Sequence, residues 1–231
     1  MAQKSNPVSF RLGTFQVWNS SLQIFGKSLK RYSLTLQKHF HIQKILIRIL
    51  NKNNLVLNYQ EWKFYNDKIF LNIWYSYSNK NEKEIKTISL QKISELIKQW
   101  FSIQPVIYFY LKPTSIITSN LVVLYAQYLF SQNLSSRRIL WNLTKLLEIY
   151  VDEEKISWFK SGILKARLKG FKIRLSGRID NSRNQMAKSI DQVNGSLPLS
   201  TLKNYVEYKS EKICTKSGVC GLQVWLFYEF N

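Results

Sequence analysis

The segment FKIRLSGRI, residues 171–179, alternates apolar and basic side chains and decides how the second half of the chain folds. A period of two is typical of a β-strand with one buried face. The side chains expected to point inward are Phe171, Ile173, Leu175 and Ile179, and those expected to point outward are Lys172, Arg174 and Arg178. A rigid row of cations can position phosphates without reading bases, which suits folded RNA. The alternative is an outer strand whose charge discourages edge pairing.

The sequence on both sides of this strand extends the basic surface and supplies more strands. Residues 202–209 and 221–228 are rich in branched and aromatic side chains and predict two strands joined through a turn region at Gly218 and Gly221. Residues 218–221 spell Gly-x-x-Gly, but a strand follows them and not a helix, so we interpret them as turn geometry. The run ILKARLKG before the strand adds Lys165, Arg167 and Lys169 to the candidate RNA-binding residues.

The first half of the chain alternates helical and strand patterns. Residues 28–50 place apolar side chains at helical intervals, and the segments 55–65 and 68–77 predict a hairpin around Asn66-Asp67. A second amphipathic helix over 88–101 and a strand over 105–111 follow. The order is helix, two strands, loop, helix, strand, and the predicted class is α+β.

Between the two halves, the pattern predicts one long helix from about Ser119 past Arg137 towards Glu148. An acidic cluster at residues 152–154 follows it. A nuclease would need clustered carboxylates to hold its metal ions, and we identify no further ligands that would complete such a site with this cluster.

The charge of the chain indicates an acidic macromolecular partner. Against 34 Lys and Arg stand 14 Asp and Glu among 231 residues, a formal charge of +20, and residues 1–60 contain no acid. Such an excess is typical of nucleic-acid binding and less often of membrane-surface binding. The longest apolar segments, 105–111 and 121–130, are too short to span a membrane.

The residues that could support catalysis or hold a metal are few. The two cysteines, Cys214 and Cys220, and the two histidines, His39 and His41, lack the spacing of zinc ligands. The sequence has no nucleophile elbow and no phosphate-binding loop. We therefore predict no enzyme activity, no metal and no cofactor.

Four ordered segments resemble one known family. They are MAQKSNPVSFRLG at the start, then GFKIRLSGRI, GSLPLSTLKNYVEY and TKSGVCGLQVWLF. Together they resemble the universal small-subunit ribosomal protein S-three family. The resemblance implies that the basic opening is an arm that contacts ribosomal RNA and stays unfolded until it lies on that RNA. The candidate RNA-binding residues of the arm are Gln3, Lys4, Asn6 and Arg11.

The resemblance also implies a domain order. We expect a basic arm over 1–27, a KH-like (type II) domain over 28–113, and a second α/β sandwich domain over 114–231 whose mixed sheet is packed by helices. The family's KH domain carries a Gly-x-x-Gly loop that clamps the nucleotide backbone. This chain has no glycine from 27 to 161, and the loop position falls on SNKNEKE, so the KH-like domain is degenerate. A lineage-specific insertion is expected around 143–162.

The family places a basic helix of the second domain where messenger RNA enters the small subunit. Residues 135–142, SSRRILWN, resemble that helix, and the implied residues are Arg137, Arg138 and Trp141. Trp141 stands where the family has a third cation. It lies on roughly the same helical face as Arg137, where it could stack on a base, and the alternative is a tryptophan of the core.

The resemblance predicts a structural constituent of the small-subunit head that helps to form the site where messenger RNA enters. The expected partners are small-subunit ribosomal RNA, messenger RNA and neighbouring ribosomal proteins. The alternative is a stand-alone RNA-processing factor or RNA chaperone. The chain favours residues with AT-rich codons, such as Ile, Asn and Lys, which indicates an organelle, and its opening lacks the features of a transit peptide. We expect an organelle-encoded mitochondrial protein, with a plastid or a bacterial cytoplasm as alternatives.

Overall fold

The computed structural model describes residues 5–22, 29–53, 55–65, 68–77, 87–111, 117–159, 162–179, 186–215 and 218–230. The chain divides into two compact units. One is Trp18–Thr114, and the other combines Met1–Val17 with Ser115–Asn231. Each unit contains helices that pack against a sheet, so the predicted α+β class is confirmed.

The unit Trp18–Thr114 is built on a four-stranded sheet. In chain order its elements are β1 (Ser20–Ser21), α1 (Leu29–Lys52), β2 (Leu55–Phe64), β3 (Lys68–Tyr77), α2 (Thr87–Phe101) and β4 (Gln104–Leu111). The sheet order is β1-β2-β3-β4; β2 and β3 pair antiparallel, whereas β1 with β2 and β3 with β4 pair parallel. The order predicted for residues 28–111 agrees with these elements. The predicted turn at Asn66-Asp67 and the loop SNKNEKE lie outside the described residues.

The core of this unit follows from the helical and strand periods of its sequence. Every second residue of β3 is buried at Ile69, Leu71 and Ile73, and these side chains contact the apolar stripes of α1 and α2 in one cluster. The two helices therefore cover one face of the sheet. The cluster includes Ile42, Leu46 and Leu50 from α1, and Ile93 and Ile97 from α2.

The second unit contains two helices and a five-stranded sheet in the part of the chain that is described. Its elements are α3 (Ser119–Ser131), α4 (Ser136–Ile149), β5 (Glu154–Phe159), β6 (Gly162–Gly177), β7 (Lys188–Gly195), β8 (Tyr205–Thr215) and β9 (Gly218–Phe230). The order is β5-β6-β9-β8, and β7 pairs with β6. Every strand pair in it is antiparallel, so the mixed sheet expected for this domain is wrong. The strand bounds leave two residues between β5 and β6 and between β8 and β9, a length that permits only antiparallel pairing.

The long helix expected from Ser119 to Glu148 is two helices. The chain turns between them at Asn133, whose φ of 57° is left-handed and cannot continue a helix. Both helices pack on one face of the five-stranded sheet through side chains such as Val122 and Leu143. The periodicity of the sequence does not show this break because the apolar pattern continues beyond it.

β6 is longer than the predicted strand and contains a β-bulge. Its register against β9 shifts between Leu168 and Gly170. The shift changes the parity of the buried positions, so Ala166 and Leu168 share the helix-covered face with Phe171 and Ile173. The cationic run 163–170, to which sequence reasoning gave no structure, is therefore the first half of the same strand.

Candidate nucleic-acid interface

The face of the five-stranded sheet opposite its helices carries a row of cations along β6. We call this row the basic face; it consists of Lys165, Arg167, Lys169, Lys172 and Arg174. These residues alternate with buried apolar residues, with the bulge between Lys169 and Lys172 keeping both halves on one side. The structure thus brings five of the residues that sequence reasoning selected onto one rigid surface.

Three carboxylates from neighbouring strands and turns pair with the basic face. The guanidinium of Arg174 donates to both carboxylate oxygens of Asp191, at 2.7 and 2.9 Å, and Lys172 Nζ lies 3.1 Å from the same group. In the first half of β6, Arg167 and Lys165 lie 2.7 and 3.9 Å from Glu154, and Lys169 lies 2.8 Å from Asp152. Sequence reasoning missed these pairs because they require β5 and β7, which it did not predict.

The ion pairs lower the pKa values of the three carboxylates. Hydrogen bonding from Arg174 lowers the pKa of Asp191, and Lys172 adds to this effect. Hydrogen bonding from Lys169 lowers the pKa of Asp152, and from Arg167 that of Glu154. Because exposed ion pairs contribute little to stability, a phosphate can replace a carboxylate as the partner. The basic face therefore remains available to a polyanion.

Beside the basic face, part of the same side of the sheet is apolar. Trp225, Phe227 and Val206 form a small buried cluster covered by Leu197 and Leu199. Lys172 Nζ lies 5.6 Å from the centre of the Trp225 ring, a cation–π contact that orients the side chain. Arg178, the third cation of the predicted row, lies just beyond the end of β6 and is half-buried.

Arg11 lies in a different environment from the one expected of an RNA contact. Its side chain is fully buried, and its guanidinium donates to the carbonyl oxygens of Pro7, Leu199, Thr201 and Asn204 at 2.7 to 2.9 Å. Burial lowers the pKa of Arg11. All the donors point into the protein, so this residue fastens the opening segment to the loop before β8. Asn6 is exposed, and its Oδ1 accepts from the Val8 N–H at 3.0 Å; Gln3 and Lys4 lie outside the described residues.

Other described residues of the opening segment are also folded, which corrects, for residues 5–17, the expectation of an arm that is unfolded before it meets RNA. The Phe15 ring contacts the rings of Phe159 and Phe230 at centroid distances of 4.9 and 5.0 Å. Gln16 Nε2 donates to the Val206 carbonyl at 3.1 Å. Residues 5–17 therefore belong to the second unit.

The exposed side of α4 forms a separate basic and aromatic surface. Arg137 and Arg138 are exposed, and Trp141 is 52% exposed. The alternative of a core tryptophan is therefore wrong. Lys145 Nζ lies 3.9 Å from the centre of the Trp141 ring; sequence reasoning missed this cation, although its i,i+4 spacing from Trp141 signals the contact. α4 covers the face of the sheet opposite the basic face, so the two candidate surfaces are not joined.

A further charged group is internal. Lys155 is buried and forms an ion pair with Glu207, whose side chain is 13% exposed. Glu207 also accepts from the Tyr205 hydroxyl at 2.8 Å and from the Ser119 N–H at 3.1 Å. Burial raises the pKa of Tyr205. This network ties β5 and β8 to the start of α3 and offers no accessible charge to a ligand.

Two other features were sought among the described residues, a metal site and a membrane-spanning helix. They contain no group of three or more His, Cys, Asp or Glu side chains that could hold a metal ion. No described helix has the length and apolarity needed to cross a membrane.

Comparison with known proteins finds one family and many relatives. The family described as "Ribosomal protein S3, C-terminal domain" matches residues 155–226. "Small ribosomal subunit protein uS3m" of Chondrus crispus is 45% identical over 228 residues, covering 99% of this chain and 94% of that protein. "Small ribosomal subunit protein uS3c" of Morus indica is 25% identical and that of Acorus calamus 26%, each over 99% of this chain and at least 99% of the relative.

Proposed function

The chain belongs to the ribosomal protein S3 family, and from this membership we propose that it is a structural constituent of the small subunit of the mitochondrial ribosome. It binds ribosomal RNA and neighbouring ribosomal proteins, and it is not an enzyme. The match to the relative from Chondrus crispus covers almost the whole of both chains. We therefore assign the proposed role to the whole chain and not to one domain.

The observation that carries the RNA-binding proposal is the basic face of β6. Its five cations lie on a strand in the middle of an antiparallel sheet, where the backbone fixes their spacing. RNA recognised by shape needs charges at fixed positions and not contacts to bases. The region 155–226 that matches the family includes all five residues.

The N-terminal unit fits a degenerate KH-like domain over 28–113. Two helices cover one face of a sheet in which β2 and β3 are antiparallel and β3 and β4 are parallel, and this mixed arrangement supports the assignment. The position of the missing Gly-x-x-Gly loop lies outside the described residues. In this proposal the domain is a scaffold, the second domain covers 114–231, and a lineage-specific insertion lies around 143–162.

We propose that α4 lies where messenger RNA enters the subunit. Arg137, Arg138 and Lys145 would attract phosphates, and the exposed Trp141 ring would stack on an unpaired base. Within the opening segment 1–27, Asn6 remains a candidate contact together with Gln3 and Lys4. In this proposal Arg11 does not contact RNA; it holds the opening segment against the loop before β8.

The basic face is tested by binding the full chain to a small-subunit ribosomal RNA transcript over a range of salt concentrations. The variant carries Lys172→Gln and Arg174→Gln. We expect weaker binding and a shallower dependence of log Kobs on log salt, by about 0.7 to 0.9 for each lost phosphate contact. An unchanged slope would remove β6 from the interface.

The matched control carries Lys63→Gln and Lys68→Gln on the sheet of the other unit. It loses the same formal charge from exposed or half-exposed strand positions. We expect the slope of log Kobs against log salt to change less for this control, because in our proposal Lys63 and Lys68 do not contact phosphates. Equal losses in both variants would mean that net charge alone determines the binding.

A further inference from the structure

The four-stranded sheet of Trp18–Thr114 presents aromatic side chains on the face opposite its helices. Tyr59, Trp74 and Tyr110 lie in register across β2, β3 and β4. The Trp74 ring centre lies 5.2 Å from each neighbouring ring, and Tyr108 lies beside Tyr110 at 6.4 Å. These four residues, the aromatic face, are not covered by any described helix.

The aromatic face ends at an edge strand with no charged residue. β4, of sequence QPVIYFYL, is the last strand of the sheet, and no described strand pairs with its other edge. Tyr108, Tyr110 and Leu111 are 46%, 43% and 55% exposed. Soluble proteins usually protect a long edge with lysine or proline, and here only Pro105, near the start of β4, has that effect. An edge of this composition favours pairing with another strand.

The charge on this face argues against RNA as its occupant. The charged side chains of its described strands that point to the aromatic side are Glu61, Lys63 and Lys68, and Glu61 and Lys63 pair with each other at 3.3 Å. Burial and Glu61 raise the pKa of Tyr59 to about 12, so this phenol is neutral at physiological pH. In a chain of formal charge +20, a nearly neutral aromatic surface does not supply the cations that a phosphate backbone needs.

We propose that β4 is the docking edge for an extended segment of a neighbouring small-subunit protein, which adds a fifth strand to this sheet. This inference rests on the proposed function. The main chain of the partner pairs with the N–H and C=O groups on the edge of β4 that no described strand occupies, and uncharged side chains on one side of the added strand lie on Tyr108 and Tyr110. Tyrosine and tryptophan are enriched at such interfaces because a ring buries a large area with few rotatable bonds.

The first test is hydrogen exchange of residues 104–111, measured in the isolated full chain and in purified native small subunits. The backbone N–H groups of alternate residues in β4 point away from β3. We therefore expect about half of its amides to exchange rapidly in the isolated chain. We expect them to be protected in the subunit. Rapid exchange in subunits that contain the protein would overturn the docking edge and leave the proposed function intact. Absence of the protein from the subunits would overturn both.

Ultraviolet cross-linking of the same subunits identifies what lies on the face. A cross-linked peptide pairing Tyr108 or Tyr110 with a small-subunit protein supports the proposal. Cross-links from these residues to ribosomal RNA, with no protection of β4, would overturn it in favour of base stacking.

A variant with Tyr108→Lys and Tyr110→Lys tests the edge directly. Both side chains are exposed, and charge on an edge strand discourages pairing. In competition with the unaltered chain for small subunits depleted of this protein, we expect incorporation to fall at least several-fold. The control carries Tyr125→Lys and Tyr128→Lys on α3, two exposed tyrosines with the same change in charge. Equal incorporation of the two variants would contradict a docking role for β4.

Discussion

At the scale of single residues, burial separates cations with different roles. Lys172 and Arg174 lie on an accessible face, whereas Arg11 is enclosed and donates only to main-chain carbonyls. All three are basic residues within segments that resemble the S3 family, so sequence reasoning assigned them one role. It could not separate them, because the loop that encloses Arg11 lies almost 190 residues away, with contacts at separations of 187 to 193.

Substitution Arg11→Met is expected to destabilise the second unit by about 3 kcal/mol. The change leaves several buried carbonyls without a donor, and such losses cost 1 to 3 kcal/mol or more. Denaturant unfolding of the full chain measures the effect. The control Lys203→Met removes an exposed cation from the same loop and is expected to change stability by less than about 0.5 kcal/mol. Equal stability of the two variants would contradict the role of Arg11.

His39 is expected to make the stability of the first unit depend on pH. Its ring is buried against Trp62 at a centroid distance of 4.8 Å, and burial lowers the pKa of His39. Between that lowered pKa and the ordinary value of about 6.5 the unfolded chain binds more protons, so stability falls as pH falls through this window. The difference in unfolding free energy between the unaltered chain and His39→Phe should therefore change between about pH 7 and pH 5.

The control for this measurement is His41→Phe. His41 is an exposed residue of the same helix, so its substitution should leave the pH dependence in place. A pH dependence that survives in His39→Phe would show that another group causes it.

At the scale of elements, the local periodicity of the sequence predicted individual strands, but the sequence did not show which strands pair with one another. Alternation within residues 171–179 identified the strand and its outward cations, because the two faces of a strand are fixed by a period of two. The bulge, β5 and β7 went unrecognised, since a bulge depends on pairing with β9, and β5 and β7 are short strands without clear alternation. The carboxylates that pair with the basic face were missed for the same reason.

Substitution Asp191→Asn tests whether these carboxylates compete with RNA. It releases Lys172 and Arg174 from their shared partner, so we expect tighter binding to the ribosomal RNA transcript and a salt slope steeper by up to about 0.9 per new phosphate contact. The control Glu95→Gln makes the same change in charge on an exposed position of α2. If both variants tighten binding equally, the pairing with Asp191 has no specific effect.

The exposed side of α4 is expected to bind unpaired RNA through Trp141. Substitution Trp141→Ala should leave stability within about 0.5 kcal/mol, because the ring is largely exposed, and should weaken binding to single-stranded RNA by about 1 to 3 kcal/mol. Trp18, 62% exposed, supplies the control Trp18→Ala. A large loss of stability, or no loss of affinity beyond the control, would contradict stacking at this position.

At the scale of the whole molecule, the amino-acid sequence was sufficient to indicate the family but not to predict the whole architecture. Four short segments in a fixed order indicated the S3 family, and the 45% identity to the relative from Chondrus crispus over 99% of the chain agrees. The folded opening segment and the antiparallel second sheet did not follow from those segments, because both depend on contacts between distant parts of the chain.

The most direct measurement is sedimentation of native lysate through a gradient, with probing for this protein and sequencing of the RNA cross-linked to it. Comigration with the small ribosomal subunit, with reads from its ribosomal RNA, is the expected result. A light fraction that carries intron or precursor RNA would contradict the account and would indicate a stand-alone RNA-processing factor.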